Sequence, residues 1–295
     1  MNTVYPLISI VTPSYNQGKY LENTILSVLN QNYHNLEYII VDGGSTDNSV
    51  EIIKKYEKFL KYWISEPDEG QSNAINKGLR HATGDVLTWL NSDDYYMPGA
   101  LHKVGEAVRA NPEAGALVGI GREVDETGKV TYFKEPPSAI CVQSLFKWYD
   151  GGNFMQPSCF FRKAVWDVCG PLDENLHIAM DVDLWLRMAK KNCKFLGITE
   201  LLSTGLNHPK AKTKAFAKLK LVETAIVIIR HGGEHEVRGR LEDMARKLSW
   251  CEPNLRKIIN NPVFKIIEPL IRLLVKPAVR WRDVSPPWST DNRKK

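Results

Sequence analysis

Cysteine is sparse in this 295-residue sequence and never paired. Cys141, Cys159, Cys169, Cys193 and Cys251 are odd in number and form no C-x-x-C pair. That excludes a zinc ribbon and a disulfide framework, and it fits a reducing compartment better than a secreted scaffold. No stretch approaches the roughly 20 apolar residues that span a bilayer. The opening MNTVYPLISIVTPSYN has no basic region followed by an apolar run and a small-residue cleavage site, so no signal peptide is expected. Internal repeats and low-complexity tracts are absent. No G-x-G-x-x-G follows the first apolar run, which argues against a dinucleotide-dependent dehydrogenase. Residues 12–17 also lack the Gly-rich phosphate loop with a nearby Lys or Arg that a nucleotidyltransferase would want.

What remains is ordinary globular composition, 43% apolar and 25% charged with 20 Gly and 16 Pro. A chain of this length buries a sizeable core as one large domain, alone or with a small appendage. The charge is unevenly placed. Residues 254–295 hold ten Lys and Arg against Glu268, Asp283 and Asp291, a net of +7, while the whole chain is +5, leaving the preceding 253 residues at −2. The body therefore shows no basic groove for nucleic acid.

The first half alternates short apolar runs with helical patterns. Leu7-Ile-Ser-Ile-Val-Thr12, Tyr38-Ile-Ile-Val41, Tyr62 to Ser65 and Val86 to Leu90 read as strands. Between and after them, helices are expected at Leu21 to Asn30, from Asn48 (with Glu51 as a capping box) through Tyr56, at Gly70 to Arg80, and from Met97 to about Asn111. This alternation predicts an α/β fold with a mostly parallel sheet flanked by helices. Further on, a hairpin is expected around Glu126-Thr-Gly128, strands at Pro157 to Arg162 and Phe195 to Ile198, and a helix at Asp181 to Lys190. From about residue 212 the pattern turns helical. The expected organisation is one domain over 1–210, in halves 1–112 and 113–210, and a helical, basic C-terminal extension over 211–295.

In an open parallel sheet, ligands collect at the carboxyl ends of the strands. Four such ends carry the polar residues: Thr12-Pro-Ser-Tyr-Asn16, Asp42-Gly-Gly-Ser-Thr-Asp47, Glu66-Pro-Asp-Glu-Gly70 and Asn91-Ser-Asp-Asp94. Carboxylates clustered on one rim repel, so they point to a cation or to ligand donors. Taken singly, each has a plainer reading. Asp42 and Asp47 can cap a helix, Asn91 to Asp94 is good type I turn composition, and Asp181 with Asp183 suits a helix N-terminus. Trp148 is as readily core as sugar platform, and His177 and His208 are expected at the surface.

Five motifs taken together are similar to those of family 2, the inverting nucleotide-sugar glycosyltransferases with the GT-A fold. They are Ile8-Ser-Ile-Val-Thr-Pro-Ser-Tyr-Asn16, Ile40-Val-Asp-Gly-Gly-Ser-Thr-Asp47, Gly70 through Ala74-Ile-Asn-Lys-Gly78, Leu90-Asn-Ser-Asp-Asp94 and Met180-Asp-Val-Asp-Leu-Trp-Leu-Arg187. They fall in order over residues 6–200. The resemblance implies that Asp42 accepts the imide N–H of a uracil base, with Thr12 and Tyr15 supplying a hydroxyl contact and a stacking face. It implies a divalent metal, Mn2+ or Mg2+, held at the D-x-D position by Asp93 with Asp94, Ser92 lying beside them and Asn91 replacing the first Asp. It makes Asp181 the general base that takes the acceptor hydroxyl's proton, with Met180 where the family has Glu.

By the same resemblance, 1–210 is the catalytic domain, with a nucleotide-binding half (1–112) and an acceptor-binding half (113–210), and Asp68 and Gln71 line the donor pocket. Asn76 and Lys77 match the family's A-R-N-x-G, with Ile75 in the Arg place and Lys77 the candidate phosphate contact. Trp148, Gln156 and Asp183 are assigned to the acceptor side. The implied partners are a nucleotide-sugar donor, UDP first, and a saccharide or lipid-linked saccharide acceptor in polysaccharide or glycan biosynthesis, as opposed to a non-catalytic sugar-nucleotide-binding module or a nucleotidyltransferase. The basic tail 254–295 reads either as an amphipathic helix on an anionic membrane or as a packed helix with solvated charges. The expected location is cytoplasmic, at the inner membrane face under the first of those readings.

Overall fold

The structure, a computed structural model, describes residues 5–209, 211–242, 246 and 249. The chain divides into two compact units, 1–237 and 238–295. In the second, the described residues are helical; the basic segment 254–295 lies outside them. The first unit begins β1 (Ile8–Ser14), α1 (Gly18–Leu29), β2 (Leu36–Asp42), α2 (Ser49–Tyr56), β3 (Tyr62–Ser65), α3 (Gln71–Arg80), β4 (Val86–Trp89), β5 (Asp94–Tyr96) and α4 (Ala100–Ala110). It continues β6 (Ala116–Asp125), β7 (Val130–Lys134), α5 (Val142–Phe146), β8 (Cys159–Arg162), α6 (Lys163–Cys169), α7 (Met180–Lys190), β9 (Phe195–Asn207), α8 (Lys212–Ala215) and α9 (Ala217–Arg230).

Among the described residues, nine strands form one sheet in the order β3-β2-β1-β4-β8-β6-β9-β5, with β7 paired to β6. β3, β2, β1 and β4 are parallel, as helical crossovers require. β8 runs antiparallel to both β4 and β6, β6 and β9 are parallel, and β5 closes the far side antiparallel to β9.

Helices cover both faces, so the central strands are apolar on both sides rather than alternating. Val11, Ile39 and Val41 pack on one face with Ala74, Ile75 and Leu79 of α3 and Leu184 and Trp185 of α7. Ile8, Ile10, Tyr38 and Ile40 pack on the other with Leu21 and Ile25 of α1, Ile53 of α2, and Leu101 and Val104 of α4. Trp89 at the end of β4 stacks on Trp185, ring centroids 5.7 Å apart, which anchors α7 beneath the carboxyl end of the parallel strands.

Three local expectations change. β5, three residues long, carries no strand pattern and exists only because β9 pairs with it. β9 continues past Ile198 to Asn207, where burial against β6 extends a strand whose sequence turns polar. The Asn48–Glu51 capping box does not form: Asn48 makes no side-chain cap. Instead Asp47 accepts the Ser49 amide at 3.0 Å and the Gly18 amide at 2.9 Å, so one carboxylate serves the first turns of both α2 and α1.

Candidate active site

The carboxyl ends of β1, β2 and β4 open into a cleft of about 890 Å3, closed on the other side by residues 154–157, the start of α7, and residues 205–224. Tyr15, Asp68, Gln71, Ser92, Asp93, Asp94, Trp148, Gln156 and Asp181 line it, so the structure gathers these expected residues in one hollow. Tyr15 is 61% exposed, a free aromatic face at the mouth. Asp68 is seated against Gly43, where an added Cβ would fall 2.6 Å from its Oδ2, and it accepts the Gly70 amide at 2.8 Å. Gly70 has φ +109°, a conformation that suits glycine, and so turns the chain sharply into α3. Trp148 is 5% exposed and packs edge-on to Phe154, while Gln156 donates to the Trp89 carbonyl at 2.9 Å.

Five expected contacts are not brought to the cleft. Asp42 is fully buried and accepts from the Ser45 amide at 2.8 Å, the Ser45 hydroxyl at 2.5 Å and the Ser65 hydroxyl at 2.7 Å. Its carboxylate holds the 43–45 turn to β3 rather than facing a base. Thr12, also fully buried, shares a 3.0 Å hydrogen bond with the Tyr38 hydroxyl. Asn76 binds the 172–174 segment through the Leu172 amide and carbonyl and the Glu174 carboxylate. Lys77 pairs with Glu66 at 2.8 Å. Asp183 lies one helical step from the cleft, bound by Arg187 at 2.8 Å and His231 at 2.9 Å. Burial pushes its carboxyl up, but those two partners outweigh burial and hold it below the usual range. Residue spacing placed all five near a strand end or helix start; their side-chain directions were set by neighbours distant in sequence.

The electrostatics of the cleft separate its carboxylates. Burial raises the Asp181 carboxyl above its ordinary value, against the opposing pull of Lys220, the Val182 amide and Lys212. Asp181 sits in the first turn of α7, whose preceding amides are satisfied from another helix: buried Glu223 of α9 accepts from His177 at 3.1 Å, Ile178 at 2.8 Å and Ala179 at 3.2 Å. Asp94, 8% exposed, is pushed well up by burial and then by the neighbouring Asp93 charge, with one oxygen bound to the Asn91 amide at 2.9 Å.

Sequence reasoning missed the residues contributed from beyond 206. His208 is not at the surface: it is 1% exposed, tilted against the Tyr20 ring at 4.4 Å, with Nε2 3.0 Å from Asp93 Oδ2. Lys212, Lys214 and Lys220 line the cleft, supplying positive charge across from the acidic rim. The run Lys212-Thr-Lys-Ala-Phe-Ala-Lys-Leu-Lys220 was the available signal, a basic cluster just after the last strand. Ser14 Oγ, Asn207 Oδ1 and Thr224 Oγ1 line the same hollow buried and without a hydrogen-bond partner, which is costly unless a ligand completes them.

No group of three His, Cys, Asp or Glu side chains able to hold a metal occurs among the described residues. Two donors are in place. The Asp93 carboxylate and the buried His208 imidazole meet, and His208 Nδ1 has no partner. A hard divalent cation commonly takes one or two protein ligands and completes its shell with phosphate oxygens and water, so the pair fits such a cation once a diphosphate is present.

Residues 9–168 match the model of "Glycosyl transferase family 2". The chain belongs to this family. An uncharacterised glycosyltransferase of Rickettsia typhi is 28% identical over 231 residues, covering 75% of this chain and 71% of that protein. Among solved structures, Staphylococcus aureus TarS 1–349 in complex with UDP-GlcNAc superposes with a TM-score of 0.57 at 17% identity, covering 78% of this chain and 69% of that one. The chain spans 41% of the longer TarS chain. A mannosyltransferase of Pyrobaculum calidifontis in complex with GDP-Man and Mn2+ gives a TM-score of 0.57 at 16% identity, covering 90% of this chain and 83% of that one. At these identities the structures show a shared fold: α/β with a mostly parallel sheet, as the strand and helix alternation predicts, and of the glycosyltransferase kind that the family resemblance implies. No described helix is long and apolar enough to cross a membrane.

Proposed function

We propose that the chain is an inverting glycosyltransferase that moves a hexosyl or N-acetylhexosaminyl unit from a nucleotide diphosphate, UDP first, to a hydroxyl of a saccharide or lipid-linked saccharide, in polysaccharide or glycan assembly. The observation that carries this reading is a single cleft holding a carboxylate with a raised pKa, Asp181, together with a rim of Asp93 and Asp94, the buried His208 backing Asp93, and the ammonium groups of Lys212, Lys214 and Lys220. The family membership and the UDP-GlcNAc and GDP-Man carried by its structural neighbours support the donor class.

Asp181 accepts the proton of the acceptor hydroxyl as its oxygen attacks the anomeric carbon. The bond from that carbon to the diphosphate oxygen breaks on the opposite face, so the configuration inverts. Burial favours this role, because it makes the carboxylate a better proton acceptor. The lysines neutralise charge gathering on the departing diphosphate, and Tyr15 offers the base a stacking face. A divalent cation held by Asp93 and His208, with Asp94 behind them, would supply further neutralisation of that leaving group. Gln156 and Trp148 border the acceptor half. Donor hydrolysis and transfer across a panel of UDP, GDP and dTDP sugars with Mn2+ or Mg2+ tests the reading. Asp93→Ala and Asp181→Asn both lose turnover; sugar-nucleotide binding by the intact protein with no turnover would show a binding module instead.

A further inference from the structure

The loop after β9 is tied to the acidic rim by three consecutive hydrogen bonds. The Lys212 ammonium donates to Gln71 Oε1 at 2.6 Å, the Gln71 amide donates to Asn91 Oδ1 at 2.7 Å, and the Asn91 amide donates to Asp94 Oδ2 at 2.9 Å. The direction is fixed from the Lys212 end, since an ammonium only donates. Each amide must therefore turn its oxygen toward Lys212 and its nitrogen toward Asp94. Position 91 is where the family pattern has an acid. An Asp there could accept from Gln71 but carries no N–H to give Asp94, and it would stand as a third carboxyl group beside Asp93 and Asp94. Lys212 and Asp181 line the same cleft, so the chain of bonds begins in the hollow that holds the base and ends at the rim.

We propose that Lys212, Gln71 and Asn91 act as one positioning unit in place of the missing carboxylate at 91, with Asn91 fixing Asp94 and Lys212 holding the loop after β9, its positive charge included, against the rim. The proposal rests on the glycosyl-transfer reading for its consequence in catalysis, but the unit itself is testable without substrate.

Thermal denaturation of the metal-free, ligand-free full chain provides that test, using Lys212→Met, Gln71→Leu and Asn91→Leu singly and in pairs. If the three act as a unit, each pair lowers the melting temperature by no more than its larger single variant; shifts that add overturn the proposal. In transfer assays with Mn2+ and a UDP-sugar that the wild type turns over, Asn91→Asp, which restores the family residue, lowers kcat about tenfold or more while donor KM changes less. Lys212→Arg retains more activity than Lys212→Met. Asn91→Asp running at the wild-type rate also overturns the proposal. A wild type that turns over no donor refutes the glycosyl-transfer reading, while the melting data still decide whether the unit exists.

Discussion

Glu223→Ala probes how α9 supports the base-bearing helix. Glu223 is 7% exposed and its carboxylate accepts three amides at the start of α7. His177 is exposed, so its amide can recover a bond to water, but Ile178 and Ala179 are buried and theirs cannot. Two orphaned buried donors cost about 1–3 kcal/mol each. Relief of a buried charge offsets part of this, leaving a net loss of about 3 kcal/mol. For a domain of this size that corresponds to about 6–12 °C in melting temperature. Glu223→Gln keeps an acceptor oxygen and should lose about a third as much, roughly 1 kcal/mol. Differential scanning fluorimetry and urea titration read the stability; kcat, which should fall because Asp181 rides on the loosened first turn, is read on protein kept below its transition. A Glu223→Ala protein melting within error of the wild type would refute the claim that α9 secures α7.

Asp181→Asn should lower kcat by about 100- to 10,000-fold, as loss of a general base does. Because burial raises this carboxyl in the folded state, its ionisation costs stability as pH rises through the raised pKa. The neutral variant should therefore melt no lower than wild type at pH 7, which separates loss of chemistry from loss of fold. The same shift places the acid limb of the kcat profile above the ordinary carboxylate value of 3.8, activity falling as pH drops through it; a limb at or below 3.8 would argue against Asp181 as the base. Gly43→Ala sets a Cβ 2.6 Å from Asp68 Oδ2, the mobile end of a side chain. The fold should yield by about 1 kcal/mol or less while Asp68 is displaced and donor KM rises; an unchanged KM would remove Asp68 from the donor site. Chelation should abolish turnover and Mn2+ restore it, and His208→Ala should raise the Mn2+ needed for half-maximal rate about 10- to 100-fold. Full activity in EDTA would dismiss the metal.

Local pattern made the architecture legible early. Apolar runs too short for helices, set between amphipathic stretches, left a parallel α/β sheet as the way to bury both faces, and β1 to β4 fall where Leu7, Tyr38, Tyr62 and Val86 begin their runs. Chain order also put Asp68, Asp93 and Asp181 at strand ends or a helix start, which in this topology is the cleft. Side-chain direction lay beyond such reasoning. Asp42 and Thr12 share that edge, yet Ser45, Ser65 and Tyr38 turn them inward. His208 looked solitary until the extension of β9 along β6 carried it to Asp93, 115 residues earlier in the chain. Glu223 and Lys212 belong to a stretch that reads as an ordinary amphipathic, basic helix. Periodicity reports which face of an element is apolar, because burial repeats with the backbone. The partner of a single polar group is set by long-range packing, and nothing in its own neighbourhood encodes that.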